Sequence, residues 1–363
     1  MRIAPLTGLR GVAAVSVLLY HIPHHPAFAQ YAMPLFSHGY LSVDLFFILS
    51  GFVISVGYYE KVVKRPGFAS YGDFLVNRMA RVWPLHFVVA MVFLARILLN
   101  VSGEQPIALT PANVSTNLLM VQSWGWGTQP LAGNSWSVST ELVAYLAYPL
   151  VAVLAFSRLA WVQAASAAVL LVLVALLGHG SRGPLDVNDA NSLLPVLRCL
   201  AGFSLGVIAY RLVQVPVCEK WLGGEHGFIG ACVLLVLAFL IPGGDVFVAL
   251  AFVPLVMACY YDGRCARALL ANKVAFHLGL ISYSIYLWHP LIRDIDARGM
   301  NIAHRHGLVG YDWAFVVAML VAIWLICWAS YRLIEVPGHR LVKAIEHRFT
   351  RPAPAPVLQE AAE

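Results

Sequence analysis

Pro5-Leu6-Thr7-Gly8-Leu9-Arg10-Gly11-Val12-Ala13-Ala14-Val15-Ser16-Val17-Leu18-Leu19-Tyr20-His21 is an apolar run that carries a cation near one end and an imidazole at the other. In an α-helix the spacing from Arg10 to His21 amounts to about three turns and a rise of roughly 16 Å, so both side chains project from one face. A polar group facing hydrocarbon costs several kcal/mol, so if this helix lies in a membrane that face must look onto protein or water. The segment therefore predicts a bundle with a polar interior.

Composition supports the membrane. The 363 residues are 60% hydrophobic and 12% charged, against about 25% charged in an ordinary soluble domain, and the mean hydropathy is +0.75. No stretch has the polarity of a soluble surface, so the expected fold class is all-α: one polytopic integral membrane helical bundle in a lipid bilayer. Apolar windows near residues 7–23, 40–58, 83–99, 137–157, 160–178, 193–213, 226–242, 245–262, 274–293 and 313–334 give about ten transmembrane helices. The expected domain covers residues 1–345. Residues 346–363, with Arg351-Pro352-Ala353-Pro354-Ala355-Pro356, read as a polar, partly disordered tail.

Basic residues set an expected orientation. With the amino terminus in the cytoplasm, the inner loops and tail collect Lys61, Lys64, Arg65, Arg78, Arg81, Arg158, Arg211, Lys220, Arg264, Arg267, Lys273, Arg332, Arg340, Lys343, Arg348 and Arg351, while residues 100–135 hold no Lys or Arg. Both termini are then cytoplasmic, and the net charge of +6 is a topology signal that implies no nucleic-acid partner. A rival reading takes the amino terminus as a secretory signal peptide with a cleavage site at Ala27-Phe28-Ala29, which would remove Arg10 and His21. The six cysteines form no C-x-x-C pair, and the thirteen histidines, including His21, His24, His25 and His38, show no ligand spacing of a metal site. No metal is expected.

The remaining polar residues within spans are candidates for chemistry. Asp44 near the outer end of the second span reads either as a helix cap or as a carboxylate that orients His21. Arg78 and Arg81, three apart at the cytoplasmic start of the third span, share a face suited to gripping a phosphate, though snorkelling anchors have the same pattern. Ser137, Glu141 and Tyr145 form a stripe, as do Ser282, Tyr286 and His289. Two tiers are expected: Arg10, Arg78 and Arg81 inside, and His21, Asp44, Glu141 and His289 outside. An acyl-coenzyme A thioester would span both. A proton-coupled transporter of an organic anion is the competing class, although the two halves show no internal repeat. His289 to Asp294 also has the H-x-x-x-x-D spacing of glycerolipid acyltransferases, without that family's soluble surroundings.

In Arg10 with His21, Val43-Asp44-Leu45-Phe46-Phe47 through Ser50-Gly51-Phe52, Arg78-x-x-Arg81 with Pro84, Trp136-Ser137-x-x-x-Glu141, Ile281-Ser282-Tyr283-Ser284-Ile285-Tyr286-Leu287-Trp288-His289-Pro290 and Tyr331-Arg332-x-x-Glu335-x-Pro337, the sequence resembles the acyltransferase-3 family. It departs at Leu142, where the family often has a second acidic residue, and at Ser42, where Gly is frequent. The resemblance runs from about Pro5 to about Leu341 and implies a stand-alone O-acyltransferase of the bacterial inner membrane. The implied donor is acyl-CoA, with acetyl-CoA favoured, and the implied acceptor is a hydroxyl of an extracytoplasmic glycan or lipid-linked saccharide. On that basis His21 is the expected base or transient acyl carrier, with Asp44 or Glu141 orienting its ring. Arg10, Arg78 and Arg81 are expected to hold the donor's phosphates. Trp136, Ser139, Tyr283 and His289 are expected to shape the acceptor side or stabilise the oxyanion.

Overall fold

Small residues decide how closely the helices approach. A Cβ added to Gly51 would lie 2.1 Å from the Phe203 carbonyl oxygen, and one on Gly206 would lie 2.0 Å from that of Ile48. These two helices touch backbone to backbone, as membrane helices do when small residues replace the hydrophobic driving force available in water. The computed structural model describes residues 3–22, 36–99, 107–178, 180, 182–308 and 310–350. The proposed cleavage site at Ala29, together with His24 and His25, lies outside them.

Fifteen α-helices follow in order among the described residues. They are α1 (Ala4–His21), α2 (Ser42–Tyr59), α3 (Phe68–Leu98), α4 (Pro111–Leu118), α5 (Trp136–Ala155), α6 (Ala160–Leu177), α7 (Leu194–Leu212) and α8 (Pro216–Leu222). Then come α9 (Gly224–Phe239), α10 (Asp245–Tyr260), α11 (Arg264–Leu270), α12 (Lys273–Leu280), α13 (Ser282–Arg305), α14 (Asp312–Ser330) and α15 (Val336–Thr350). Short π-helical turns at Glu60–Lys64 and Tyr331–Glu335 continue α2 and join α14 to α15.

The all-helical expectation holds. Six helical stretches among the described residues are long and apolar enough to cross a membrane, and two bent pairs, α8 with α9 (76°) and α10 with α11 (103°), raise the number to eight. The expected spans near 7–23 and 274–293 correspond to α1 and to α12 with α13, which lie outside that set. These are also the helices that bring Arg10, His21 and His289. The span expected at 274–293 is broken at Ile281, and α13 runs on to Arg305. In the other direction α3 begins well before the apolar window at 83–99, because the helix includes the polar turn holding Asn77, Arg78 and Arg81.

Two buried apolar clusters fill the bundle, and α1, α2 and α7 contribute to both. On α1, Ala14, Val17 and Leu18 face one cluster while Leu6, Leu9, Ala13 and Tyr20 face the other. Pro5 starts α1 in its first turn, where a missing N–H costs nothing. By contrast α6 turns Trp161, Val169, Val172, Leu173, Leu176 and Leu177 outward, as a lipid-facing helix does.

Because Gly206 meets backbone and Gly230 has open space around its Cβ position, Gly206→Leu is expected to lower the melting temperature in detergent by many degrees, whereas Gly230→Leu leaves it within about a degree or two. Equal melting of the two variants would refute the close α2–α7 contact.

Candidate active site

Where α1, α2, α3, α5 and α13 converge they leave a cavity of about 190 Å³, lined by Arg10, Ser50, Arg78, Arg81, Ser137, Glu141, Tyr145 and Tyr283 among others. It shares Arg10, Arg81 and Val53 with a larger cavity of about 590 Å³ that reaches Glu335, His339 and Arg340. On its other side it shares Val43 and Tyr286 with a cavity of about 310 Å³ lined by Tyr20, His21, Tyr40, Asn134, Trp136, Arg182, Asp186 and Arg293. Arg10 and His21, three turns apart on α1, thus line different cavities of an adjoining series.

The three expected anion-binding arginines do come together. Arg81 Nη1 donates to Glu335 Oε2 at 3.0 Å, and Ser284 Oγ donates to Glu335 Oε1 at 2.5 Å. Arg10 and Arg78 form no hydrogen bond or ion pair among the described residues. Arg78 instead sits with its guanidinium 5.1 Å from the centre of the Tyr58 ring, its Nε buried and unpartnered. Three guanidinium groups face one carboxylate, that of Glu141, in this cavity, so the excess positive charge favours an anionic occupant. Two guanidinium forks suit phosphate oxygens.

Glu141 requires a correction. Its spacing places it in the tier of His21, but it lines the arginine cavity and accepts a hydrogen bond from Ser50 Oγ. A helix position four or five residues past Trp136 lies more than one turn below it, and that places the carboxylate at the depth of Ser50.

Asp44, expected to orient His21, is engaged by a different residue. Its carboxylate, fully buried, is gripped by Arg198, whose Nε reaches Oδ1 at 2.9 Å and whose Nη2 reaches Oδ2 at 2.6 Å. The same guanidinium donates to the carbonyls of Val187 and Tyr40, each at 3.2 Å, and lies 5.6 Å from the Trp136 ring centre. Sequence reading passed over Arg198. Its signal is a charge well inside the apolar span 193–213, away from the Arg211 end, which requires a buried partner.

His21 and His289 pair with each other. Their ring centroids are 4.9 Å apart, and each Nδ1 lies by the carbonyl four residues earlier, His21 by Val17 (2.8 Å) and His289 by Ile285 (3.2 Å). Bonding to a carbonyl assigns the proton to Nδ1, so Nε2 of each ring carries the lone pair. The Nε2 of His289 is buried with no partner.

The other expected contacts divide. Trp136 lines the His21 cavity. Tyr283 lines the arginine cavity, and its hydroxyl donates to the Val82 carbonyl at 2.8 Å. Ser139 reaches none of the three cavities. It accepts from the Ser123 amide at 3.1 Å, while its carbonyl accepts from Trp124 Nε1 at 3.0 Å. Two residues along a helix is 200°, so Ser139 points away from the Ser137–Glu141–Tyr145 stripe. Asp294 of the H-x-x-x-x-D spacing is held by Arg96 (3.0 Å) and Arg293 (2.8 Å). Glu335 and Ser50 stood in the quoted motifs without a role; their partners on distant segments supply one.

Among the described residues, no three His, Cys, Asp or Glu side chains gather as metal ligands. A family model described as an acyltransferase domain matches residues 3–332. The chain is 27% identical, over 98% of its length, to the acyltransferase MdmB of Streptomyces mycarofaciens, of which 96% is covered. It is 22% identical over 92% of its length to YrhL of Bacillus subtilis, named as a proposed peptidoglycan O-acetyltransferase. It is likewise 22% identical over 96% of its length to a proposed O-acetyltransferase of Staphylococcus aureus strain COL. The chain spans 54% and 59% of the lengths of these last two. No solved structure matches.

The Asp44–Arg198 pair generates a test of its own. Removing one member strands the other charge at a cost of about 3–5 kcal/mol, whereas replacing both by apolar residues is often neutral. Arg198→Met is expected to abolish a monodisperse folded peak in detergent. The double variant Asp44→Leu with Arg198→Met is expected to recover most of it; a double no better than the single would refute the pairing.

Proposed function

The chain belongs to the acyltransferase-3 family and is an O-acyltransferase, and from that premise we propose that it moves an acetyl group from acetyl-CoA to a hydroxyl of an extracytoplasmic glycan or lipid-linked saccharide. The observation that carries this reading is a series of cavities that share lining residues, in which Arg10, Arg78 and Arg81 line one chamber and the His21 imidazole lines the next.

In this reading the amino terminus is cytoplasmic and the protein sits in the inner membrane of a bacterium. The donor enters by the cavity that reaches His339 and Arg340, and Arg10, Arg78 and Arg81 hold its phosphates. The acceptor approaches by the cavity of His21, where Trp136, Tyr20 and Tyr40 offer aromatic faces and Asn134, Asp186 and Asn188 offer polar atoms to a sugar. Names of the Bacillus and Staphylococcus relatives support acetyl as the group carried.

The chemistry needs a base because a sugar hydroxyl is a weak nucleophile. His21 Nε2 takes the hydroxyl proton as the oxygen attacks the thioester carbonyl, forming a C–O bond. The tetrahedral adduct then collapses with cleavage of the C–S bond, and the imidazolium returns the proton to the departing thiolate. The Nδ1 contact to Val17 holds the ring in the productive tautomer. A direct transfer of this kind accounts for the arrangement without a covalent acyl-enzyme.

Two variants test the assignment in membranes supplied with labelled acetyl-CoA. General-base loss is worth roughly 10²–10⁴ in rate, so His21→Ala is expected to reduce transfer at least a hundredfold while donor affinity stays near wild type. The pair Arg78→Ala with Arg81→Ala is expected to weaken donor binding about tenfold or more. Wild-type transfer by His21→Ala, or wild-type affinity in the arginine pair, would contradict the respective role.

A further inference from the structure

Val43 and Tyr286 line both the arginine cavity and the His21 cavity. In the proposed reaction the thioester is anchored in the first and deprotonation happens in the second, so the acyl carbon must reach the boundary where these two side chains stand. We propose that Val43 and Tyr286 form a rigid throat that sets the length of the acyl group the enzyme can transfer, passing acetyl and excluding chains of four carbons or more. This inference rests on the acyl-CoA reading of the site.

The rigidity is visible in the contacts of Tyr286. Its hydroxyl donates to the Asn134 carbonyl at 3.0 Å and lies 2.6 Å from Ser137 Oγ, and its own backbone carbonyl accepts from the Asn134 side chain. Its ring stands edge-on to Phe46, centroids 6.1 Å apart, and to His289, also at 6.1 Å. Both Tyr286 and Val43 are buried, and α2 is fixed against α7 at this level by the Asp44–Arg198 pair one residue from Val43. Valine, β-branched, has little rotameric freedom in a helix. A wall held at this many points cannot swing aside for a longer chain, and forcing methylenes past it meets the same steric penalty as overpacking a core.

Phe46, Phe47, Leu49 and Val138 complete the apolar lining on the arginine side. A short acyl group crosses the throat with its carbonyl exposed to His21; a longer one must leave its tail behind, which draws the carbonyl back from the base. Discrimination therefore falls on the rate of transfer more than on donor binding, since the phosphate contacts are the same for every chain length.

The test compares acetyl-, propionyl- and butyryl-CoA as donors for wild type, Val43→Ala and Val43→Ile in membranes with their endogenous acceptor. One or two methylenes in an apolar site change specificity by about 10–200-fold. Val43→Ala is expected to raise the butyryl-to-acetyl ratio of kcat/KM at least about tenfold, chiefly through kcat. Val43→Ile, which narrows the passage, is expected to lower the propionyl-to-acetyl ratio by a similar factor. Unchanged ratios in both variants, with acetyl transfer still measurable, would overturn the throat while leaving the proposed function intact. Failure of the wild-type protein to use any of the three donors would overturn the proposed function and the throat with it.

Discussion

The buried ion pair between Asp44 and Arg198 is the constraint on which the site's geometry depends. Each charge would be prohibitively expensive alone in an apolar bundle, and together they consume each other's hydrogen-bonding capacity in a bidentate contact. Arg198 spends its remaining donors on the Val187 and Tyr40 carbonyls, so one guanidinium joins α2, α7, the turn before α2 and the segment before α7. On α2 the same fixed register places Val43 and Ser50 in the cavity walls, and Gly51 and Gly206 let that register be held at backbone contact.

The polar residues then sort by whether they have a partner. Asp44, Arg198, Glu335, Asp294 and Asp245 are engaged within the protein, the last by Tyr40 (2.9 Å) and the Leu185 amide (2.8 Å). Such pairs close the bundle at its ends and sides. Arg10 and Arg78 have no such engagement among the described residues, and the Nε2 of His289 has none either. Arg10 and Arg78 line one cavity together with Arg81 and Glu141.

Much of this was legible along the chain because helical period is strict. The Arg10–His21 face, the Arg78–Arg81 pair and the Ser137–Glu141–Tyr145 stripe follow from residue spacing, and each stripe does line a cavity. Depth was less legible. Spacing places Glu141 in the tier of His21, whereas it lines the arginine cavity, since hydropathy marks where a span begins only to within a turn or so. Ser139 was assigned to the site although its angle on α5 turns it toward Ser123 and Trp124.

By itself the sequence determined that the chain is an apolar helical bundle with a polar stripe on its first helix, since composition and a period of 3.6 residues leave no other way to shelter Arg10 and His21. It also carried enough motif to identify the family. Only the tertiary structure decided which charges neutralise one another. Asp44 and Arg198 are 154 positions apart and Arg81 and Glu335 are 254 apart, and His21 meets His289 from the far end of the chain. Helix packing chooses such partners, and packing depends on side-chain shape at many contacts at once, which no local pattern encodes.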